Sequence, residues 1–469
     1  MTPKSSKRGR FAKVSPQVIH LGGEHTVTGS CHLLQISSLN ILVDCGLAQG
    51  TDAVCPMEKW PVQPRELDYV FLTHAHIDHI GRLPELVSNE FHGEIIATHP
   101  TKALLGPMLR DAMGFSEKTD DQAARLSQVI DEQSWGFEYD RRFDLKNGVR
   151  FTLGPAGHIL GSCFIRFVSD DPPWSVVFSG DLGAKNTPIL PDPSIPEPCD
   201  LLILESTYGD RLHEERKDRV RRLGKVLTSA MSDGGKVFIP AFALGRIQEL
   251  IYEIDRLLSD RDFQQQFPAL NSQSAIRNPK SGLPVFVDSP LGLEITEIYS
   301  SLAKYWDKEA NDLLYHGDHP IDFDHLYAVK NYHDHLKLLE LPGPYIVLAG
   351  SGMCSGGRIV EHLKAGLEDP ANDVCFVAYQ APGTPGRDII RYGKRPGGYV
   401  CLNGERVTIK AKIHVLPGYS AHADQNGLIE WVESMPEKPK AIKLVHGEPQ
   451  AQSALGSILK EKGYHMLMN

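Results

Sequence analysis

The sequence predicts an α/β protein in which one domain is interrupted by another. Up to Glu205 the chain reads as short strands rich in Val, Ile, Leu and Phe, separated by turn residues. From about Tyr208 it changes to strands alternating with helical spacing, and after Gly393 it returns to strand character. Short apolar runs bounded by turn residues are how buried strands look in sequence. Strand–helix alternation marks βαβ units with a parallel sheet.

In order, the strands predicted in the first part are 32–36, 40–43, 69–72, 93–97, 149–153, 163–168, 176–179 and 201–204. Four of them end at or near a reactive side chain: Asp44, His74, Asp181 and Glu205. Rigid sheets commonly hold chemistry at such ends. Next comes a strand over 236–239, then Ile247, Leu250, Ile251, Ile254 and Leu257 at helical spacing. Residues 261–283 are polar, contain Pro268 and Pro279, and predict a surface loop. Strands follow at 285–287, 345–348 and 374–378, with helices such as 359–367 between them. The chain closes with strands over 407–415 and 441–445 and a helix around 455–459. The expected division is 1–207 plus 393–469 for the interrupted domain and 208–392 for the insert.

With 469 residues the chain can bury large cores, and 41% hydrophobic and 23% charged residues are ordinary for a globular protein. No apolar run approaches the roughly 20 residues that cross a bilayer. Residues 1–13 are basic without the apolar stretch of a secretory signal, and read as a solvated tail. Eight cysteines without a CxxC pair argue against a disulfide framework or a cysteine zinc site, and for a reducing cytoplasm. A net charge of −10 offers nucleic acid no global attraction, so a polyanion must be held by a local basic cleft or by metals.

The densest chemical signal is His74-Ala75-His76-Ile77-Asp78-His79, directly after an apolar strand. Imidazole and carboxylate are ligands that zinc accepts, and alternate side chains of an extended segment point opposite ways, so one turn can feed two metals. Four more candidates lie at strand ends or beside glycines. They are Asp44 before Cys45-Gly46, His158 between Gly157 and Gly161, Asp181 between Gly180 and Gly183, and His446 before Gly447. Singly each would pass for a surface or capping residue; behind HxHxDH, in this order, they read as the rest of a metal site. A second histidine crowd, His316, His319, His325, His333 and His335, lacks a Gly-framed strand end and reads as no metal site.

Asp44, His74-x-His76-x-Asp78-His79, His158 and Asp181 together resemble the metal set of the metallo-β-lactamase fold. Ile203-Leu204-Glu205-Ser206-Thr207-Tyr208-Gly209 resembles the first motif of its β-CASP nucleases. Gly418-Tyr419-Ser420-Ala421-His422-Ala423-Asp424 is similar to the second, and Val445-His446-Gly447-Glu448 to the third. The segments 239–246, 288–291 and 351–358 resemble recurring parts of the β-CASP cap. The resemblance covers about 18–466 and implies a metallo-β-lactamase αββα sandwich with an inserted β-CASP α/β cap domain. It implies two Zn2+ per chain: His74, His76 and His158 on one, Asp78, His79 and His446 on the other, Asp181 bridging, Asp44 orienting. The nearest motifs are those of bacterial and archaeal RNA-processing members and the nuclease of polyadenylation cleavage factors. His446 favours RNA over DNA, and the expected partner is single-stranded RNA.

The implied reaction is hydrolysis of a phosphodiester by a two-metal-activated hydroxide, leaving a 5′-phosphate and a 3′-OH. The expected catalytic set is Asp78, Asp44, Glu205 and His422, with His422 the general acid held by Glu205. The other reading makes Glu205 a strand-end cap and His422 a helix-start residue. Ser351, Gly352, Met353, Gly356, Gly357 and Arg358 form a Gly-rich loop entering a helix, either a tight turn or a cradle for the substrate backbone. Arg246 and Arg387 are either phosphate contacts or interface ion pairs, and Ser420 either touches phosphate or starts a helix. The sequence shows neither the N-terminal RNA-binding domains of archaeal members nor the long C-terminal extension of RNase J-type enzymes. Endonucleolytic cleavage is therefore expected, with 5′-3′ exoribonuclease or DNA-directed action as alternatives. A metallohydrolase acting on other substrates, such as a thioesterase, or a non-catalytic RNA-binding scaffold are further classes; a homodimer is compatible with all of them.

Overall fold

The computed structural model describes residues 15–50, 52–114, 120–214, 216–271 and 283–467. The basic segment 1–13 and residues 272–282 of the loop expected over 261–283 lie outside these residues. Two six-stranded sheets form a sandwich. The first runs in spatial order Gln17–Gly22, Cys31–Ile36, Leu39–Val43, Tyr69–Phe71, Glu94–Thr98 and Ser134–Phe137, antiparallel at first and parallel from Leu39–Val43 onward. The second runs Ala441–Val445, Leu201–Glu205, Pro173–Phe178, Cys163–Asp170, Val149–Pro155 and Arg142–Asp144.

Alternation along the strands puts Leu34, Ile41, Val43 and Phe71 of one sheet against Phe151, Ile165, Phe167 and Phe178 of the other, all buried. Phe71 is the pivot, edge-on to Phe167 at 4.7 Å and to Phe151 at 4.9 Å, a favoured aromatic geometry. Phe167→Ala should therefore cost about 3–5 kcal/mol of stability, measurable as a lowered denaturant midpoint. An unchanged midpoint would contradict this packing.

The chain leaves the second sheet after Leu201–Glu205 and re-enters it beside that same strand at Ala441–Val445, paired in parallel from Leu201↔Ala441 to Glu205↔Val445. Between them lies a third sheet, wholly parallel, in the order Leu326–Ala328, Val285–Val287, Tyr345–Ala349, Lys236–Pro240, Asp373–Phe376 and Lys412–Val415. Its last strand, Lys412–Val415, comes from the chain beyond residue 392 and pairs in parallel with Asp373–Phe376. The hairpin Tyr399–Leu402 with Glu405–Thr408 precedes that strand, which splits the single β segment expected over 407–415 in two.

Two further differences have plain causes. The first part, read as strands alone, also contains helices His99–Gly114 and Asp120–Gln133; Gly106 and Pro107 interrupt the apolar spacing of the first. The predicted loop begins as a helix, Arg261–Gln266, because Asp260 caps it by accepting from the Asp262 and Phe263 N–H groups.

Candidate metal centre

Tyr69–Phe71 is fully buried, and the chain emerging from it places His74 and His76 before a one-turn helix, Ile77–Ile80, that carries Asp78 and His79. Glycine lets this loop seat closely: a Cβ on Gly46 would lie 1.6 Å from the Asp78 carbonyl oxygen. Asp44 and His446 follow their strands with φ of 60° and 49°, a left-handed turn unusual for residues with side chains and typical of functional sites. Backbone hydrogen bonds hold both, Asp44 N–H to Phe71 O at 2.8 Å and His446 N–H to Gly23 O at 2.7 Å. Asp181 comes after Gly180, whose Cβ would lie 2.8 Å from Thr73 Cβ. The Ser162 hydroxyl accepts from the His158 N–H at 2.9 Å.

All seven expected ligands converge. His76 Nδ1 lies 3.1 Å from both His74 Nε2 and His158 Nε2, and His79 Nε2 lies 3.2 Å from His446 Nε2. Donors bound to one tetrahedral zinc at about 2.0–2.1 Å sit about 3.3 Å apart, so these spacings fit a shared cation. Asp181 Oδ2 stands between the two groups, 3.6 Å from His74, 3.6 Å from His158 and 3.3 Å from His79, and its Oδ1 is 3.7 Å from His446. Asp78 Oδ2 completes the second group, 3.6 Å from His446 and 3.8 Å from His79. Among the described residues the buried Asp181 Oδ1 has no hydrogen-bond partner, which suits a carboxylate oxygen that ligates a cation. Burial pushes His74, His76 and His158 below the usual imidazole range, toward the neutral form that binds metal. Burial works against the Asp181 carboxylate too, yet the imidazoles of His446, His79 and His74 hold it well below the usual range.

Asp44 stands behind this array. Its Oδ2 is 2.7 Å from His79 Nδ1, and its Oδ1 accepts from the Thr73 N–H at 2.8 Å, so it fixes the ring whose Nε2 faces His446 and Asp181. Two threonines passed over in the sequence do related work: Thr73 Oγ1 is 3.1 Å from His74 Nδ1, and Thr207 Oγ1 is 3.1 Å from His446 Nδ1. Their only sequence signal is adjacency, Thr73 to His74 and Thr207 to Ser206 in the first motif.

Beside the array, Glu205 Oε1 accepts from the Leu182 N–H at 2.8 Å and lies 3.2 Å from His422 Nδ1; its Oε2 accepts from Thr207 N–H at 3.1 Å. The His422 ring centroid is 4.5 Å from that of His158. Ser420 Oγ accepts from the His422 N–H at 3.3 Å, shaping the turn.

An open cleft of about 480 Å³ joins His76 and His158 to Phe242, Leu244, Gly245 and Arg246, which follow the third-sheet strand Lys236–Pro240. Ligands of open α/β sheets bind outside such carboxyl ends. Gly352 packs against the Phe242 ring, which puts the Gly-rich loop at the same rim; a Cβ there would come within 3.0 Å of it. Ser351 Oγ closes that loop on itself, donating to Gly356 O at 3.2 Å and accepting from Ser355 N–H at 3.0 Å. Met353 O accepts from the Gly386 N–H, and Gly357 has φ of 71°. The arginines divide: Arg246 is buried and paired with Glu249, and Arg358 NH1 donates to Asp288 Oδ1 and Val329 O. Arg387 is exposed on helix Pro385–Tyr392.

Of the second histidine crowd, His335 reaches a buried partner set. His335 Nδ1 and His362 Nε2 each lie 2.6 Å from Asp288 Oδ2. That is hydrogen-bond spacing, and Arg358 already neutralises the carboxylate, so the geometry is a polar network in the insert.

Clustered imidazoles and carboxylates at one edge of a two-sheet sandwich, under a parallel-sheet insert, define the class of metal-dependent hydrolases. Family models match three successive stretches: the metallo-beta-lactamase superfamily over residues 26–230, the Beta-Casp domain over 247–389, and the Zn-dependent metallo-hydrolase RNA specificity domain over 406–468. The chain is 35% identical to Ribonuclease TTHA0252 of Thermus thermophilus over 95% of this chain and 96% of that one. It is 30% identical to the transcription termination factor FttA of Methanosarcina mazei, over 95% of this chain and 69% of that one. A crystal structure of a protein of unknown function from Enterococcus faecalis has the same fold, with a TM-score of 0.55 at 12% identity over 97% of this chain and 98% of that one. The chain belongs to the metallo-β-lactamase superfamily, in its β-CASP branch, and is a hydrolytic nuclease.

Proposed function

We propose that this nuclease is a two-zinc endoribonuclease that hydrolyses single-stranded RNA to 5′-phosphate and 3′-OH ends in the cytoplasm. The observation that carries this is the juxtaposition of seven metal-type ligands with the Glu205–His422 pair, beside a cleft walled by the insert. The RNA specificity domain match over 406–468 and the relative named a ribonuclease support RNA as the substrate. His74, His76 and His158 would hold one zinc, Asp78, His79 and His446 the other, with Asp181 between. Bound there, zinc supplies Lewis acidity toward water and the phosphate oxygens.

The protein's own groups do the rest. Glu205 faces Nδ1 of His422, which leaves Nε2 as the nitrogen that gives its proton to the departing 3′-oxygen. Asp44 holds the His79 ring in place. The Gly-rich rim at Ser351–Gly357 supplies backbone N–H groups to the substrate chain, and Arg387 an exposed cation; Arg246 acts through its ion pair with Glu249. We further propose the discontinuous division, with the sandwich as the metal-binding unit and the third sheet as a cap.

Metal analysis of protein purified without chelators should find about two zinc equivalents per chain, and chelation should abolish cleavage of labelled single-stranded RNA until zinc is restored. Internal cuts carrying ligatable 5′-phosphates are expected. Folded, active protein that reproducibly contains no metal would overturn the reading, and mononucleotide release from the 5′ end would replace endonuclease with exonuclease.

A further inference from the structure

Arg219, Glu249 and Glu253 are buried charged side chains of the insert with no part in the hydrolytic step, and they meet Arg246 of the cleft wall. Arg219, on helix Arg216–Asp233, donates from NH2 to Glu249 Oε1 and Glu253 Oε1, both at 2.7 Å, on helix Arg246–Ser259. Its NH1 donates to the backbone oxygen of Gly418 at 2.6 Å, and its guanidinium lies 4.7 Å from the centre of the Tyr419 ring. Tyr419 is fully buried. The Gly418 N–H donates to Glu214 Oε1 at 3.3 Å, and a Cβ on Gly418 would come within 2.5 Å of Glu214 Cγ and 3.1 Å of Arg219 Cβ, so the chain here passes close against both residues. Both backbone polar groups of Gly418 are thus held by side chains, the N–H by Glu214 and the carbonyl by Arg219.

Buried ion pairs seldom add net stability, because desolvation offsets their attraction. What this one does is set geometry. Gly418 and Tyr419 form the turn that leads through Ser420 to His422. Beyond the turn the backbone is pinned to the sandwich instead, by the Ala423 N–H to Leu182 O at 2.6 Å. His422 itself bridges Gly183 of the sandwich in antiparallel fashion, so the sandwich holds its backbone from His422 onward and Arg219 holds the turn that leads into it. Glu249 also pairs with Arg246, which lines the cleft with His76 and His158, so one carboxylate ties the cleft wall to this anchor.

We infer that Arg219 is a positioning residue for His422: through Gly418 and Tyr419 it sets where the imidazole meets the leaving oxygen. The inference rests on the reading of His422 as the general acid. Its signature is dependence on the leaving group. An RNA whose scissile 3′-oxygen is replaced by sulfur departs as a thiolate, which needs no proton because a thiol's pKa is about 8.5. The experiment compares single-turnover cleavage of this RNA and its oxygen counterpart by Arg219→Gln and Arg219→Lys, with bound zinc measured alongside. Arg219→Lys keeps the buried charge balance but loses the fork, and serves if Arg219→Gln does not fold. The oxygen RNA should be cut about 10²-fold more slowly, the scale of a misplaced catalytic group. The sulfur RNA should be cut at nearly the wild-type rate, with zinc unchanged. Equal losses on both RNAs, or no loss on either, would overturn the inference. His422→Ala serves as the reference. If it too loses equally on both RNAs, the acid reading itself falls; if it discriminates and the Arg219 variants do not, only the role of Arg219 falls.

Discussion

His422→Ala should slow RNA cleavage by roughly 10²–10⁴-fold, the usual reach of general acid catalysis, while bound zinc stays at the wild-type level. The reason is local. His422 Nδ1 is 3.2 Å from Glu205 Oε1, and Glu205 is held rigid by two backbone N–H groups. Burial alone would lower the imidazole's pKa, but the Glu205 and Asp181 carboxylates outweigh it and lift it to about 9, so the ring holds its proton at neutral pH. A 3′-alkoxide is a poor leaving group without one. His422 nevertheless stands within ligand reach of His158 and Asp181, with Nδ1 3.9 Å from Asp181 Oδ2. Measuring zinc and single-turnover rate on the same preparation separates the roles. Loss of zinc would make His422 a ligand, and full activity would remove it from the chemistry.

Asp181→Asn should fail in the opposite way, losing metal first and activity as a consequence. The substitution is nearly isosteric, so the strand end and the Gly180 turn are undisturbed. It removes the one negative charge that faces His74, His79, His158 and His446 together. Losing an outer partner of a metal ligand typically costs 10–100-fold in affinity, and if Asp181 is itself a ligand, as proposed, its loss should cost more than that ~10–100-fold. Dialysis against a weak chelator followed by metal analysis reads this directly. Retention of two equivalents with wild-type cleavage would show that Asp181 bridges nothing.

The parts legible in the sequence were local. His74 to His79 could be recognised because all its ligands lie within one turn, and Asp44, Asp181 and Glu205 because each ends an apolar strand. The Arg246 and Arg358 assignments went differently, since an arginine's role depends on what it meets: Glu249 in one case, Asp288 in the other. Asp288, His335 and His362 likewise meet only because the third sheet brings the end of Val285–Val287 beside helices Tyr332–Glu340 and Arg358–Gly366. The helix His99–Gly114 escaped because Gly106 and Pro107 blur its period, while tertiary burial of Leu104, Leu105, Met108 and Leu109 stabilises it regardless.

By itself the sequence singled out the imidazoles and carboxylates that the structure brings together, and the change of periodicity between His158 and His446. Ligand type, strand-end placement and a change of periodicity are properties of short stretches, and short stretches keep their meaning in isolation. Only the tertiary structure decided that His79 and His446, 367 residues apart, stand 3.2 Å from each other, that the third sheet takes its last strand from Lys412–Val415, and that Arg219 grips the turn before His422. Those contacts follow from strand pairing and helix packing over long separations. Their geometry is set by the burial of whole surfaces, and no local pattern encodes it.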